Sequence, residues 1–182
     1  ASRSHNIGVE LGVTDHVAQL LEWKASYAYL DMVLDDYRSS VITSTGARQL
    51  VNFSGKRLPG LPRHHLNAEV QLRPLPRLGI GAEAEWQSTV YVETSNAREG
   101  MWYFPAGNSI QKVPFRALPS SALFHMNAEF RIGPGTLFGK IENVFRSRRT
   151  ANVVTNEAFG RFYEPGSGTR TSVGLRMATT HD

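Results

Sequence analysis

The chain has 182 residues, no cysteine and a formal net charge of +4. The lack of thiols excludes disulfide frameworks, thiolate metal sites and cysteine nucleophiles, and the basic residues are spread along the chain rather than gathered into the patch that nucleic-acid binding requires. No apolar run reaches the ~18 residues of a membrane helix, which leaves room for a membrane β-barrel, where only alternate residues meet lipid and the average looks soluble.

Period-two alternation dominates the chain. Ile7, Val9, Leu11 and Val13 alternate with Gly8, Glu10 and Gly12, and Trp23, Ala25, Tyr27 and Tyr29 alternate with Lys24, Ser26 and Ala28. The pattern recurs over Leu66–Arg73, Leu78–Gln87, Phe124–Ile132, Leu137–Glu142 and Ser172–Met177. Each run predicts a strand with one apolar and one polar face, seven in all, with no convincing amphipathic helix. Strict side-chain alternation places Trp23, Val70, Ile80, Trp86, Met126, Phe130, Ile141 and Leu175 on an outer face. It places Lys24, Glu69, Glu83, Glu129 and Glu142 on an inner one.

The connections alternate too. Thr14–Gln19, Pro74–Arg77 and Gly133–Gly135 are short, whereas Arg38–Pro62, Glu93–Pro119 and Ala151–Gly168 are long. An antiparallel meander with this rhythm puts all short turns at one end of the sheet and all long loops at the other. Outer-membrane barrels have that asymmetry. The polar faces, with Glu69, Gln71, Glu83, Glu85, Gln87, Asn127, Glu129 and Arg131, suit a water-filled lumen, and Trp23, Trp86, Phe124 and Phe145 fall near strand ends, where interfacial aromatics sit. A soluble antiparallel sheet also alternates, so pattern alone leaves both readings open. An odd number of strands does not close a meander barrel, and an open sheet leaves backbone groups unpaired in lipid. The chain is therefore expected to be a piece of something larger.

Three stretches carry a resemblance. The segment from Asn52 to Ala68, with Gly55-Lys56-Arg57-Leu58-Pro59-Gly60 and Pro62-Arg63-His64, resembles the loop end that leads into a strand in TonB-dependent outer-membrane receptors. Lys140 to Arg149, with Glu142-Asn143-Val144-Phe145, is similar to an element of that family's penultimate strand, and Val154 to Thr171 looks like the family loop entering the last strand. The resemblance implies an all-β chain. Its residues 1–182 would be the C-terminal strands, about a third, of a transmembrane barrel of about 22 strands, the plug domain lying outside the chain. It implies location in the bacterial outer membrane and active uptake of a scarce bulky ligand, such as a ferric siderophore or an organic cofactor. The implied partners are the TonB complex acting through the N-terminal plug, the barrel-assembly machinery, outer-membrane lipid and lipopolysaccharide, and no nucleic acid. Two departures stand out: Arg146 replaces the family's Asp, and residues 178–182 follow Met177 without the usual terminal aromatic. The chain begins at Ala1 without a leader-like segment, so any signal peptide is expected upstream.

No enzyme is expected, because no convergent Ser/His/Asp set can be assembled and Gly166-Ser167-Gly168 is not a nucleophile elbow. The competing classes are an outer-membrane β-barrel enzyme and a soluble lipocalin-like binder. No metal or cofactor is expected. His64 and His65 point to opposite faces of a strand, with His64 lumenal or at the rim, and His125 lines the lumen. Asp31, Asp35 and Asp36 lack calcium-loop spacing. Ligand contact is expected from Arg98, Trp102, Tyr103, Arg161 and Tyr163, cations and aromatics on the long loops.

Overall fold

The computed structural model describes residues 2–156 and 160–177, with the side chains of 152–156 and 160–162 outside that description. In chain order the strands are β1 (Arg3–Val17), β2 (Leu21–Asp36), β3 (Arg38–Ile42), β4 (Arg48–Asn52), β5 (His64–Leu75), β6 (Leu78–Gln87), β7 (Glu99–Ala106), β8 (Ser109–Arg116), β9 (Ser121–Ile132), β10 (Gly135–Glu142), β11 (Thr150–Asn156), β12 (Gly160–Pro165) and β13 (Arg170–Met177). Seven of them form one antiparallel sheet in the order β1-β2-β5-β6-β9-β10-β13. These are the seven expected strands, in meander order.

The long connections differ from expectation. Each holds a two-stranded hairpin of its own: β3–β4, β7–β8 and β11–β12. Backbone groups in a long excursion must find partners, and pairing the excursion with itself supplies them. The first turn is also tighter than the spacing suggested, because β1 runs on to Val17, which pairs with Leu21. Asp15 and His16 thus belong to the strand. With 15 and 16 residues, β1 and β2 exceed the ~9–11 that cross a bilayer and project beyond their neighbours at the hairpin end.

Register decides the faces. Trp23 pairs with Val70, Val70 with Ala82, Ala82 with Met126, and Met126 with Ile141. A second row runs Leu78, Phe130, Leu137 and Leu175. Residues directly opposite one another share a face, so the apolar positions form one continuous surface. The adjacent row Lys24, Glu69, Glu83 and His125 forms the other face. On that polar face a Cβ at Gly81 would collide with the side chains of Gln71 and Asn127. Long polar groups from neighbouring strands converge over this bare backbone.

Among the described residues, the apolar face of the sheet has no core of its own. Val70, Met126, Phe130, Ile141 and Leu175 are all more than two-fifths exposed. A contiguous apolar surface of this kind exceeds what a soluble monomer shows to water. The buried apolar cluster lies instead at the hairpin end. Val90, Val92, Phe115 and Leu118 pack together, with Ala97 and Trp102 against them.

Candidate functional site

Two neighbouring regions qualify: the polar face of the sheet and the hairpin end above it. On the polar face, several cations within the sheet are matched to acids. Lys24 sits 3.0 Å from Glu22, and Lys140 lies 3.7 Å from both Glu83 and Glu142. From the segment after β10, Arg149 reaches Glu85 at 3.1 Å. All these groups are partly solvated, where solvent screening leaves an ion pair little net stabilisation. The face is a hydrated, charge-balanced wall rather than a rigid core. His125 lies on it, as expected, and its Nδ1 accepts the Asn143 backbone N–H at 3.3 Å.

The hairpin end is tied down by the segments that carried the resemblance. Gly55 N–H donates to Leu34 O, Leu34 N–H to Lys56 O, and Leu58 N–H to Met32 O, at 2.7 to 2.9 Å. Residues 55–58 thus run beside the projecting part of β2 as an irregular partner. Gly60 turns at a φ of 93°, open chiefly to glycine, and its N–H donates to Tyr91 O at 2.8 Å. Asn96 Nδ2 donates to Arg57 O while Asn96 Oδ1 accepts from Arg57 N–H. The Ser88 Oγ accepts from the N–H groups of both Arg63 and His64. This stretch zips the loop after β4 to the loop after β6.

Asp31 anchors the same region. It lies beyond the last β2–β5 pair, Tyr29 with His64, on the loop side of the sheet. Arg57 Nε donates to its Oδ1 at 2.8 Å and Arg63 Nη2 to its Oδ2 at 2.9 Å. Desolvation works against the Asp31 charge, but the two guanidiniums outweigh it and hold the carboxyl below its ordinary value. Arg63 also donates to the Tyr29 hydroxyl and lies over its ring. His64 shares the face of Tyr27 and Tyr29, and its Nδ1 sits 2.7 Å from the Tyr27 hydroxyl. Of its two expected positions the rim is the one seen, because register pairs His64 with Tyr29 rather than with a polar-face residue. Asp35 is taken by His5 at 2.6 Å.

Asn143 explains the second motif. It is buried, adopts a φ of 51°, and its Nδ2 donates to the carbonyls of Ser147 and Ser167. Its Oδ1 accepts from Ser147 N–H and its carbonyl from Thr169 Oγ1. Asparagine tolerates the left-handed region better than most residues. Here it also staples the exit of β10 to the entry of β13. Arg146, at the departure position, has a φ of 55° as well, with an exposed side chain. Phe145 packs edge-on against Phe124, with ring centroids 5.1 Å apart.

The five expected ligand residues are not gathered at one point. Trp102 stacks on Phe115 at 4.7 Å and its indole N–H donates to Glu93, so it faces the loop core. Tyr103 is the next residue along β7 and pairs with Lys112 on the other side of that hairpin. Arg98 is exposed at the foot of β7, and its carbonyl accepts Ala117 N–H at 2.6 Å. Tyr163 clasps β8: its hydroxyl accepts from Arg116 N–H at 2.7 Å and donates to Arg116 O at 2.9 Å. Arg161 falls on β12 two residues before Tyr163, and its side chain lies outside the described residues. Beside the clasp an open cleft of about 770 Å³ is bordered by Glu99, Met101, Phe115, Arg116, Thr150 and Tyr163. Sequence reasoning missed Arg116 there, and Arg148 and Arg149 beside a smaller neighbouring pocket. The only signal was their position next to long-loop prolines and turns.

A family model described as "TonB dependent receptor-like, beta-barrel" matches residues 2–144. Among solved structures, the chain is similar to the siderophore receptor PiuA from Acinetobacter baumannii, with a TM-score of 0.71 at 19% identity over 96% of this chain and 22% of that one. It is also similar to the ferric-catecholate import receptor Fiu from K12 E. coli, with a TM-score of 0.66 at 14% identity over 96% of this chain and 21% of the other. The ferric yersiniabactin uptake receptor FyuA from Yersinia pestis gives 0.65 at 15% identity, over 96% of this chain and 23% of its own. The chain spans about a fifth of the length of the solved structures it matches.

Proposed function

We propose, from the premise that this chain belongs to the TonB-dependent receptor-like β-barrel family, that it supplies the C-terminal part of the wall of an outer-membrane active transporter. Residues 1–182 are read as barrel strands throughout, the plug being carried elsewhere in the receptor. Loops at the hairpin end capture a scarce bulky ligand, the polar face lines the path, and the TonB complex drives passage through the plug. A ferric siderophore or similar chelate is the favoured ligand, supported by the described roles of the three solved structures. The carrying observation is the two-faced sheet: one continuous apolar surface, one charge-balanced polar surface, short turns at one end and paired hairpins at the other.

The apolar face belongs in hydrocarbon, where a closed barrel satisfies every backbone group. The edges β1 and β13 are then paired by further strands, the barrel-assembly machinery inserts the whole, and lipid and lipopolysaccharide surround it. The chain does no bond chemistry in this reading. A lipocalin-like binder is disfavoured because its apolar residues would line the inside of a closed barrel, whereas here they cover one open face.

The test is uptake of a radiolabelled ferric chelate by cells carrying the intact receptor, with and without TonB. Uptake that needs both is expected, and TonB-independent entry would overturn the reading. Arg98, Trp102, Tyr103, Arg161 and Tyr163 are proposed as loop contacts to that ligand. The pair Trp102→Ala with Arg161→Ala is expected to weaken binding at normal surface levels, and unchanged affinity would remove them from the site.

A further inference from the structure

A second, smaller pocket of about 310 Å³ lies where the polar face meets the hairpins. Its floor is Gln87 of β6 and Ser121 of β9, which pair with each other and therefore share a face. Glu85, two residues back along β6, shares that face as well. Arg116, Arg148 and Arg149 border the pocket from two different segments, and Tyr163 borders both it and the larger cleft. Leu118 and Pro119 give it one apolar side.

Three observations give this pocket a chemical preference. Arg149 is held toward the wall by Glu85 at 3.1 Å. Among the described residues, neither Arg116 nor Arg148 has a carboxylate partner, and both side chains are exposed. The Ser121 hydroxyl is buried yet has no hydrogen-bond partner. A buried polar group without a partner costs about 1–3 kcal/mol, and a ligand atom in the pocket removes that cost. Three guanidiniums against one carboxylate leave the site electropositive. Guanidinium forks match the paired oxygens of carboxylates and phosphates. The volume suits one such group and its immediate substituent rather than a whole bulky ligand.

We propose that this pocket binds an oxyanion group, a carboxylate or phosphate, carried by the transported ligand. Arg116 and Arg148 supply the charge, Ser121 donates a hydrogen bond, and Arg149 is positioned by Glu85. The inference rests on the receptor reading above, because it takes the polar face as the transport path. A lipopolysaccharide phosphate offers the same chemistry, but it would have to leave the apolar face to reach Gln87 and Ser121.

The experiment uses the intact receptor carrying this chain, purified in detergent, with succinate and inorganic phosphate as probes. Binding is followed by ligand-observed NMR at low and moderate salt. Saturable binding to the wild type is expected, at least tenfold weaker in Arg116→Gln with Arg148→Gln. Arg148→Lys, which keeps charge but loses the fork, falls between them. Arg48→Gln, an exposed arginine on β4, leaves binding unchanged. Heat-modifiable migration on gels confirms that each variant is folded. No binding by the wild type, equal binding by the double variant, or an equal loss in Arg48→Gln overturns the proposal. A parallel titration with vesicles containing lipid A separates the sources. If the double variant loses lipid A binding but keeps succinate, the pocket reads membrane phosphate and the proposal fails. None of these measurements involves TonB, so failure of the transport reading and failure of the pocket are distinguished.

Discussion

The sheet and the hairpin end handle apolar side chains in opposite ways. Along β5, β6, β9, β10 and β13 most apolar residues lie on one face, in rows such as Leu78, Phe130, Leu137 and Leu175, and that face stays largely open. At the hairpin end they point in. Val92 is 3% exposed and Phe115 8%, gathered under Trp102. The difference follows from the surroundings each part is built for. A strand in hydrocarbon is stabilised by lipid on its outer face and by backbone pairing on its edges. A loop in water needs a core of its own. The latches follow the same division. Asn96, Ser88, Asn143 and Asp31, whose hydrogen bonds cross between chain segments, all lie at or beyond the hairpin ends of the strands.

The largest test of this contrast is in the loop core. Phe115→Ala removes the stacking partner of Trp102 and is expected to cost the hairpin end about 3 kcal/mol, the lower end for a buried aromatic because the cluster is small. Proteolysis within residues 99–116 should rise sharply, while heat-modifiable migration of the barrel stays normal. Unfolding of both regions together would show that they are one cooperative unit.

Next is the apolar face. Val173→Arg is expected to cost about 2–4 kcal/mol in a bilayer, and Ser172→Arg, one residue away on the other face but opposite Lys140, about 1 kcal/mol or less. Urea titration in lipid vesicles measures both. Equal effects would mean that the two faces do not differ in surroundings.

A smaller effect is expected at the staple. Asn143→Ala removes hydrogen bonds to Ser147 and Ser167 and leaves their partners unpaired, costing about 1–3 kcal/mol. Hydrogen exchange should accelerate in residues 143–150 and 165–169 while β9 stays protected. Exchange confined to residue 143 itself would show that the staple does not couple the two segments.

The smallest expected effect is at Asp31, where solvent screening weakens the pairs with Arg57 and Arg63. Its carboxyl is held below the ordinary 3.8, so the stabilisation is complete above that value and is lost only as the pH falls through the lowered one. Exchange protection of residues 55–63 should therefore hold at pH 5 and weaken in strong acid. Asp31→Asn should show the weaker protection at both. Loosening already at pH 5 in the wild type would rule out the clamp.

Much of the sheet was legible in the sequence because a half-buried strand repeats every two residues. Leu78–Gln87 matches β6 at both ends. The hairpins were not legible as strands. Met101, Trp102, Tyr103 and Phe104 are four apolar residues in a row, and both faces of β7 are at least partly covered, so no alternation marks it. The turn Gly107-Asn108 between β7 and β8 was the available signal. The candidate site was legible only in part. Tyr163 was picked for its ring, yet its hydroxyl serves as a clasp on Arg116, a contact between residues 47 apart in sequence.

By itself the sequence determined the number of sheet strands, their alternating faces and the side on which the long connections lie. Each of these depends on local period and on spacing along one chain. Only the tertiary structure decided that Trp102 turns into a core, that Asn96 and Asn143 join separate segments, and that Arg116, Arg148 and Arg149 converge above Ser121. Those arrangements depend on how hairpins from distant parts of the chain pack together, and the free energy of such packing is written in no local pattern.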